Sequence, residues 1–306
     1  MEFKLRLRYN VLVIFTGEEA KTLFNGGEGT EVLAYLVRRG DCCREYYVDS
    51  NWVREAAGNI ESERYVLNRF APEIERIADA WKWIKKESVQ KPVGADAIRR
   101  KLVDSVMNGG KLQLFSPWGP RYKKSSSVIT DEDLEITTLR EIKSVFAELG
   151  KWGYSIDFLL MPADTYGIEI NGRSSEPVRE YFKNLEDAAY AELGEIVKMK
   201  PWSIIREENG KRYDELKSEL EKDLNNRKWQ DELQRAIGVA RYFNPTNIVE
   251  SAKKYCLERL AEGIIITEVY DPIKLSLVRK EKDTLDGPLN RIYIVKNRAP
   301  WLDGGE

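Results

Sequence analysis

In its middle third the sequence alternates short apolar runs with longer amphipathic segments. The apolar runs, 112–115, 155–161 and 195–199, have the length of β-strands. Between them lie two segments with apolar residues at helical spacing, 130–153 and 174–193. Short buried strands separated by helices form parallel sheets with right-handed crossovers. The alternation therefore predicts an α/β, Rossmann-like, mainly parallel sheet with flanking helices.

The segments on either side of this core predict two further parts. Residues 1–90 are expected to form an N-terminal α+β portion, in which 31–40 (EVLAYLVRRG) is predicted to be a helix. Residues 91–306 are expected to form the Rossmann-like domain.

A helical insertion of about 206–262 is expected within that domain. Its first part, 206–236, is strongly charged with a thin leucine stripe, which predicts an exposed helix. Three closing strands are predicted over 263–269, 273–279 and 291–296, partly antiparallel to one another.

The composition is that of a globular protein, with 42% hydrophobic and 33% charged residues. No apolar run approaches the roughly 18 residues of a membrane span. Three cysteines make no disulfide framework, which favours a reducing, cytoplasmic location. The dense lysine, glutamate and arginine resemble the charge usage of thermophilic proteins.

Histidine is absent from the sequence, which limits the chemistry available to it. Ser-His-Asp and Cys-His catalysis and the common zinc sites are excluded, so proton transfer must use Asp, Glu, Lys, Tyr or Cys. The glycine-containing stretches lack the spacing of nucleotide-binding loops. No metal and no cofactor are therefore predicted.

Polar and aromatic side chains recur at three predicted strand ends, where open parallel sheets bind ligands. The first end carries Ser116, Trp118, Arg121, Lys123 and Lys124. The second carries Asp164, Tyr166, Glu169 and Arg173, and the third carries Trp202. Together they predict a pocket for a small anionic molecule.

Roles follow from side-chain chemistry. The three cations of the first strand end would bind a phosphate or carboxylate, and Trp118 and Trp202 would form the pocket walls. Asp164 or Glu169 would take an amine or a proton. The alternative is structural: both tryptophans would fill the core beside prolines, Asp164 would cap a turn, and Glu169 would lie on a solvated hairpin.

The order and spacing of several segments resemble the isocyanide synthase family of pyoverdine and dityrosine biosynthesis. The similar segments are KLQLFSPWGPRYKKSSS, TDEDLEITTL, GYSIDFLLMPADTYGIEING, IKLSLVR and NRAPWL, within roughly residues 95–302. Glu135 stands at the family's glutamate position, which implies a catalytic role in orienting a cation. Val278 and Leu302 stand where the family has histidines.

This resemblance implies an enzyme that joins an aromatic amino acid to a phosphorylated partner, as the family condenses tyrosine or tryptophan with ribulose 5-phosphate. The missing histidines imply altered chemistry on the same scaffold, of transferase or lyase type. Two other hypotheses stay open. One is a nucleic-acid- or partner-binding module, against which the net charge of −2 argues. The other is a non-catalytic relative of the enzyme family. The oligomeric state is left open.

Overall fold

The computed structural model describes residues 76–88, 91–107, 111–120, 127–223, 247–277 and 288–293. It also describes short strands between residues 5 and 48 and scattered helical positions within 230–238. The chain divides into two compact units. The first comprises 1–87, 94–112 and 147–155, and the second comprises 88–93, 113–146 and 156–306.

The first unit contains two antiparallel strand pairs. Strand β1 (Leu5–Arg6) pairs with β2 (Val11–Leu12), and β3 (Val32–Leu36) pairs with β4 (Arg44–Val48). The helix predicted over 31–40 is therefore wrong, because residues 32–36 pair as β3. The β-branched and aromatic residues of this run suit a strand as well as a helix, and long-range pairing decided between them.

The first unit also contains helical residues. Residues 76–87 are helical, and helix α1 spans Ala95–Met107. Near the end of this unit, Gly153 has a positive φ of 77°. The Arg76 Nε donates to the carbonyl of Trp152 at 2.6 Å, and the rings of Trp83 and Trp152 lie 5.7 Å apart.

The second unit is built on a five-stranded parallel sheet, as predicted. Its strands are β5 (Leu112–Trp118), β6 (Ile156–Pro162), β7 (Val197–Met199), β8 (Ile273–Ser276) and β9 (Asn290–Tyr293). The spatial order is β7-β6-β5-β8-β9. The chain therefore winds outward from β5 in one direction and then returns to add β8 on its other side.

Among the residues that the structure describes, five helices flank this sheet. They are α2 (Leu134–Lys151), α3 (Ser175–Leu193), α4 (Trp202–Glu208), α5 (Gly210–Asp223) and α6 (Ile248–Tyr270). A π-helical turn, Tyr166–Ile170, follows β6. The two predicted helices of the middle third are confirmed as α2 and α3.

The two faces of the sheet are covered by different helices. On one face, Phe146 of α2 contacts Phe158 of β6 edge to face, with ring centroids 5.1 Å apart. On the other face, Phe115 and Met161 belong to a hydrophobic core with α6. Side chains three residues apart in a strand point to opposite faces, which is why Phe158 and Met161 enter different cores.

The closing part of the chain differs from expectation. Residues 263–269, predicted as a strand, form the last turns of α6. The run Ile264–Ile266 is apolar because α6 packs deeply into the core, and periodicity alone cannot separate a buried helix from a buried strand. Strands β8 and β9 are parallel, so the predicted antiparallel ending is also wrong.

Within the charged segment, α5 is helical, as predicted, but one side of this helix is not exposed. Leu216 and Leu220 of α5 are buried in the core that contains α6. Four residues separate them, so they share one helix face while the charged residues occupy the other. These two leucines of the stripe thus form a packing surface for α6.

Candidate functional site at the carboxyl edge of the sheet

The strand order reverses between β5 and β8. In doubly wound sheets this switch point leaves a crevice beyond the carboxyl ends of the two strands. Ser116 is fully buried there, and its hydroxyl donates to the carbonyl of Leu275 at 3.1 Å. The predicted cations Arg121, Lys123 and Lys124 follow β5 in the sequence and lie outside the described residues.

The ends of β5 and β6 are joined by close backbone contacts. The Ala163 N–H donates to the Trp118 carbonyl at 2.8 Å. Farther along, Gly167 lies so close to Pro120 that a Cβ on Gly167 would stand 3.0 Å from the proline Cγ. The π-helical turn therefore packs directly against the turn that ends β5.

Trp118 lies in the core and does not form an open wall. It is fully buried, and its indole Nε1 donates to the Tyr181 hydroxyl at 2.9 Å. Tyr181 in turn donates to Glu135 Oε1 at 3.2 Å, and Glu135 is also buried. Trp118 and Glu135 thus join one polar network on the α2–α3 side of the sheet.

Asp164 follows β6 and holds the start of α4. Its Oδ1 accepts from the Ser203 N–H at 3.1 Å, and its Oδ2 accepts from the Ser203 hydroxyl at 2.5 Å. Backbone N–H groups of the first helical turn lack intrahelical partners, so a carboxylate placed there is stabilising. Both oxygens of Asp164 are engaged in this contact.

Glu169 makes a two-pronged ion pair with Arg206. Arg206 Nη2 donates to Oε1 at 2.5 Å and Nη1 donates to Oε2 at 2.9 Å. This hydrogen bonding raises the pKa of Arg206 further above its usual range. Arg173, also predicted for the site, is half-buried, and its N–H donates to the Gly167 carbonyl at 3.0 Å.

Trp202 binds Glu258, a carboxylate that the sequence did not identify as part of the site. The Trp202 indole is fully buried and donates to Glu258 Oε1 at 2.6 Å. Arg206 Nη1 donates to the same oxygen at 3.0 Å, and the Tyr213 hydroxyl donates to Oε2 at 2.5 Å. Glu258 therefore connects α6 to α4 and α5.

Tyr166 binds a second carboxylate, Glu262, that the sequence did not identify as part of the site. Its hydroxyl donates to Glu262 Oε2 at 2.7 Å, while Arg259 Nη1 donates to Oε1 at 2.7 Å. The ring of Tyr255 packs edge to face on Tyr166, with centroids 5.6 Å apart. Burial and then the negative charge of Glu262 raise the pKa of Tyr166 well above its usual value.

One sequence signal could have identified these acids. Glu258 and Glu262 lie four residues apart in a stretch of α6 that is otherwise mostly apolar. Buried carboxylates need paired partners, so charges placed within an apolar helix predict a buried network. The prediction of a strand over 263–269 hides this signal, because it ends the apolar helix just after Glu258 and Glu262.

The structure thus sorts the predicted residues into two groups. Tyr166, Trp202 and Glu169 belong to the cluster around Glu258 and Glu262, on the α6 side of the sheet. Trp118 and Glu135 belong to the network on the α2–α3 side. Among the described residues, no group of three His, Cys, Asp or Glu side chains could hold a metal ion.

A groove of about 500 Å³ lies apart from these residues, between the segment before α2 and the middle of α3. Its lining comprises Val128, Ile129, Thr130, Asp131, Ile136, Asn184, Asp187 and Ala188. None of the predicted site residues lines it.

Comparison with solved structures supports the fold. The chain is similar to the PvcA protein from Pseudomonas aeruginosa, with a TM-score of 0.50, 12% identity, and coverage of 74% of this chain and 78% of that one. It is also similar to tyrosyl-tRNA synthetase from Archaeoglobus fulgidus complexed with L-tyrosine, with a TM-score of 0.46, 12% identity, and coverage of 71% and 63%. For AlbC, a cyclodipeptide synthase from Streptomyces noursei, the TM-score is 0.39, identity is 10%, and coverage is 62% and 91%.

Sequence comparison adds no family assignment. No model of a protein family matches the chain, and no curated protein matches its sequence. Within the described residues, no helix has the length and apolar character that crossing a membrane requires. The expected relationship to isocyanide synthases is supported in part, as a related fold through PvcA at low identity.

Proposed function

We propose that this protein is an enzyme that binds a small anionic substrate in the crevice between β5 and β8. The substrate pair in this proposal is an aromatic amino acid together with a phosphorylated partner, which is the pair that the resemblance to isocyanide synthases implies. Arg121, Lys123 and Lys124 would hold the phosphate or carboxylate by charge-assisted hydrogen bonds. The turn that follows β6 would face the rest of the substrate.

The observation that carries this proposal is the strand order β7-β6-β5-β8-β9. It locates the switch point at the end of β5, and the basic segment 121–124 begins three residues after that strand ends. A crevice at a switch point is the usual ligand site of an open α/β sheet. Cations that follow β5 so closely in the sequence favour an anionic ligand.

A nucleic-acid-binding module is the second candidate. Its favourable feature is again the basic segment after β5, which could contact phosphates. Against it, Trp118 and Trp202 are fully buried, so neither offers a ring face on which a base could stack. The enzyme proposal is therefore preferred.

The test measures thermal stabilisation and calorimetric binding with L-tyrosine, L-tryptophan, ribulose 5-phosphate, single-stranded DNA and tRNA. A ligand at about a hundred times its Kd should add about 2.7 kcal/mol of stability. Replacing Arg121, Lys123 and Lys124 together by alanine should weaken binding of the anionic ligand at least about tenfold. The melting temperature of the unliganded variant should stay near that of the parent.

The matched control removes the same charge elsewhere. Arg179, Lys183 and Lys217 are exposed on α3 and α5, and their triple alanine variant should bind like the parent. An equal loss of ligand affinity in both variants would mean that binding depends only on the net charge of the protein. Binding confined to nucleic acid, and abolished by added salt, would replace the enzyme proposal by the second candidate.

A further inference from the structure

We infer that Tyr166 accepts a hydrogen bond from the amino group of the substrate, with the neighbouring Thr165 hydroxyl as a second polar contact. The inference rests on the proposed function and deepens it, since it identifies which part of the substrate the turn after β6 recognises. It also moves the amine-binding role away from Asp164 and Glu169, which sequence reasoning had favoured.

The two earlier candidates are already engaged. Both carboxylate oxygens of Asp164 accept hydrogen bonds from Ser203. Both oxygens of Glu169 accept from the guanidinium of Arg206. An amine would have to displace these contacts, whereas Tyr166 offers an acceptor without displacing any of them.

The direction of one hydrogen bond defines what Tyr166 can do. A phenol has a single proton, and that of Tyr166 is donated to Glu262 Oε2 at 2.7 Å. Glu262 is held in turn by Arg259 at 2.7 Å. With its proton committed, the phenolic oxygen can only accept, so its complementary ligand group is a donor such as an ammonium.

The carboxylates near Tyr166 are both paired with cations, Glu262 with Arg259 and Glu258 with Arg206. The negative charges of Glu262 and Glu258 act on Tyr166, and the positive charge of Arg259 opposes them. Their combined effect with burial is to disfavour the phenolate, so the tyrosine stays neutral. A neutral acceptor backed by a buried carboxylate is suited to an ammonium, because such charge-assisted hydrogen bonds are the strong ones.

Thr165 supplies an independent observation at the same turn. It is 2% exposed, and its Oγ1 has no hydrogen-bond partner among the residues that the structure describes. Buried hydroxyl groups in native structures are nearly always paired. A ligand group that pairs with this hydroxyl would account for a polar atom that the described part of the fold leaves unsatisfied.

The turn that contains Thr165 and Tyr166 lies next to the end of β5. Gly167, next to Tyr166, packs against Pro120, one residue before the basic segment that begins at Arg121. The ends of β5 and β6 are therefore adjacent. A zwitterionic or phosphorylated substrate could place its amine at the Tyr166 turn and its anionic group at the cations after β5.

The experiment compares ligand pairs that differ only in the amino group. L-tyrosine is compared with 3-(4-hydroxyphenyl)propanoate, and L-tryptophan with 3-indolepropanoate, by calorimetry on the full chain. The parent should prefer the amino acids. Tyr166→Phe should weaken amino acid binding about tenfold or more and leave the deaminated ligands within about twofold. Thr165→Val should weaken amino acid binding while preserving side-chain volume.

The control is Tyr190→Phe, which removes the same hydroxyl from an exposed tyrosine of α3 and should bind like the parent. Should Tyr166→Phe fail to fold, Glu262→Gln carries the same test, because its amide can donate to the phenolic oxygen and occupy the acceptor. Equal loss for both members of a pair, or no loss, overturns the inference and leaves the proposed function standing. Failure of the parent to bind any amino acid or sugar phosphate overturns both.

Discussion

Trp118 and Trp202 each follow a proline directly in the sequence, and each donates its indole N–H to a buried polar group. At the level of single residues, the sequence showed an aromatic side chain beside a proline at two strand ends. It could not show which side of the backbone the ring would occupy. Partners 63 and 56 positions away decided that, because burial of an indole requires a partner for its N–H.

Gly153 provides a prediction at the same scale. Its φ of 77° is a left-handed conformation, and a Cβ there would collide with the Arg76 guanidinium. Gly153→Ala should lower the free energy of unfolding by about 1–2 kcal/mol from backbone strain alone, with more if Arg76 cannot move. Denaturant unfolding monitored by circular dichroism measures the change.

A nearby glycine is the control. Gly150 lies in α2, and an added Cβ would meet nothing within 4 Å. Gly150→Ala should therefore be neutral or stabilise by up to about 1 kcal/mol, since alanine favours helix more than glycine does. Similar destabilisation by both substitutions would contradict the special conformation of Gly153.

At the scale of elements, α6 is a helix although part of its sequence favours a strand. Its 23 residues include a β-branched run that favours strand, yet the helix continues through it. Deep burial against the sheet and against α5 stabilises the helical form. Tertiary packing thus outweighed local preference in the segment where the sequence prediction failed.

Glu258 should dominate the attachment of α6 to α4 and α5. Glu258→Ala removes the acceptor of Trp202, Arg206 and Tyr213 together. Breaking a buried charge network in this way should cost about 3–5 kcal/mol of unfolding free energy. Chemical denaturation measures the loss, with Glu250→Ala as control.

Glu250 is exposed in the first turn of the same helix, so its removal should cost less than about 1 kcal/mol, the usual size of a helix-dipole interaction. A loss below 1 kcal/mol for Glu258→Ala as well would show that the network contributes little to the attachment.

For the whole molecule, buried tyrosines make stability depend on alkaline pH. Burial raises the pKa of Tyr154 and Tyr213 above its usual value, as it does for Tyr166. Above about pH 10 the unfolded chain loses phenolic protons that the folded protein keeps. The unfolded state then binds fewer protons, so the free energy of unfolding falls as pH rises.

Melting temperatures recorded between about pH 8 and pH 11 test this dependence. The stability that these phenols contribute is fully present below about pH 10, and Tyr166→Phe should make the alkaline decline shallower. The exposed Tyr190 is the control, and Tyr190→Phe should leave the decline unchanged. A parent-like decline in Tyr166→Phe would contradict a strongly raised pKa at Tyr166.

The sheet was largely predictable because its signal is local. Strand-length apolar runs between amphipathic helices imply parallel crossovers wherever they occur. The switch point between β5 and β8 was not predictable in this way. It depends on which strand pairs with β5, and β8 follows β5 in the sequence only after β6, β7 and α6. The continuation of α6 to Tyr270 makes the connection into β8 a helical one, and β8 lies parallel to β5.

The sequence alone determined the chemical inventory of this protein: no histidine, aromatic residues and charges at three strand ends, and a basic segment after the first of them. Only the tertiary structure decided which groups meet. Tyr166 finds Glu262 across 96 positions, and Glu169 finds Arg206 across 37. The physical reason is that hydrophobic periodicity indicates whether a residue is buried. The partner of a buried polar group depends instead on which distant segments of the chain pack together, and no local pattern contains that information.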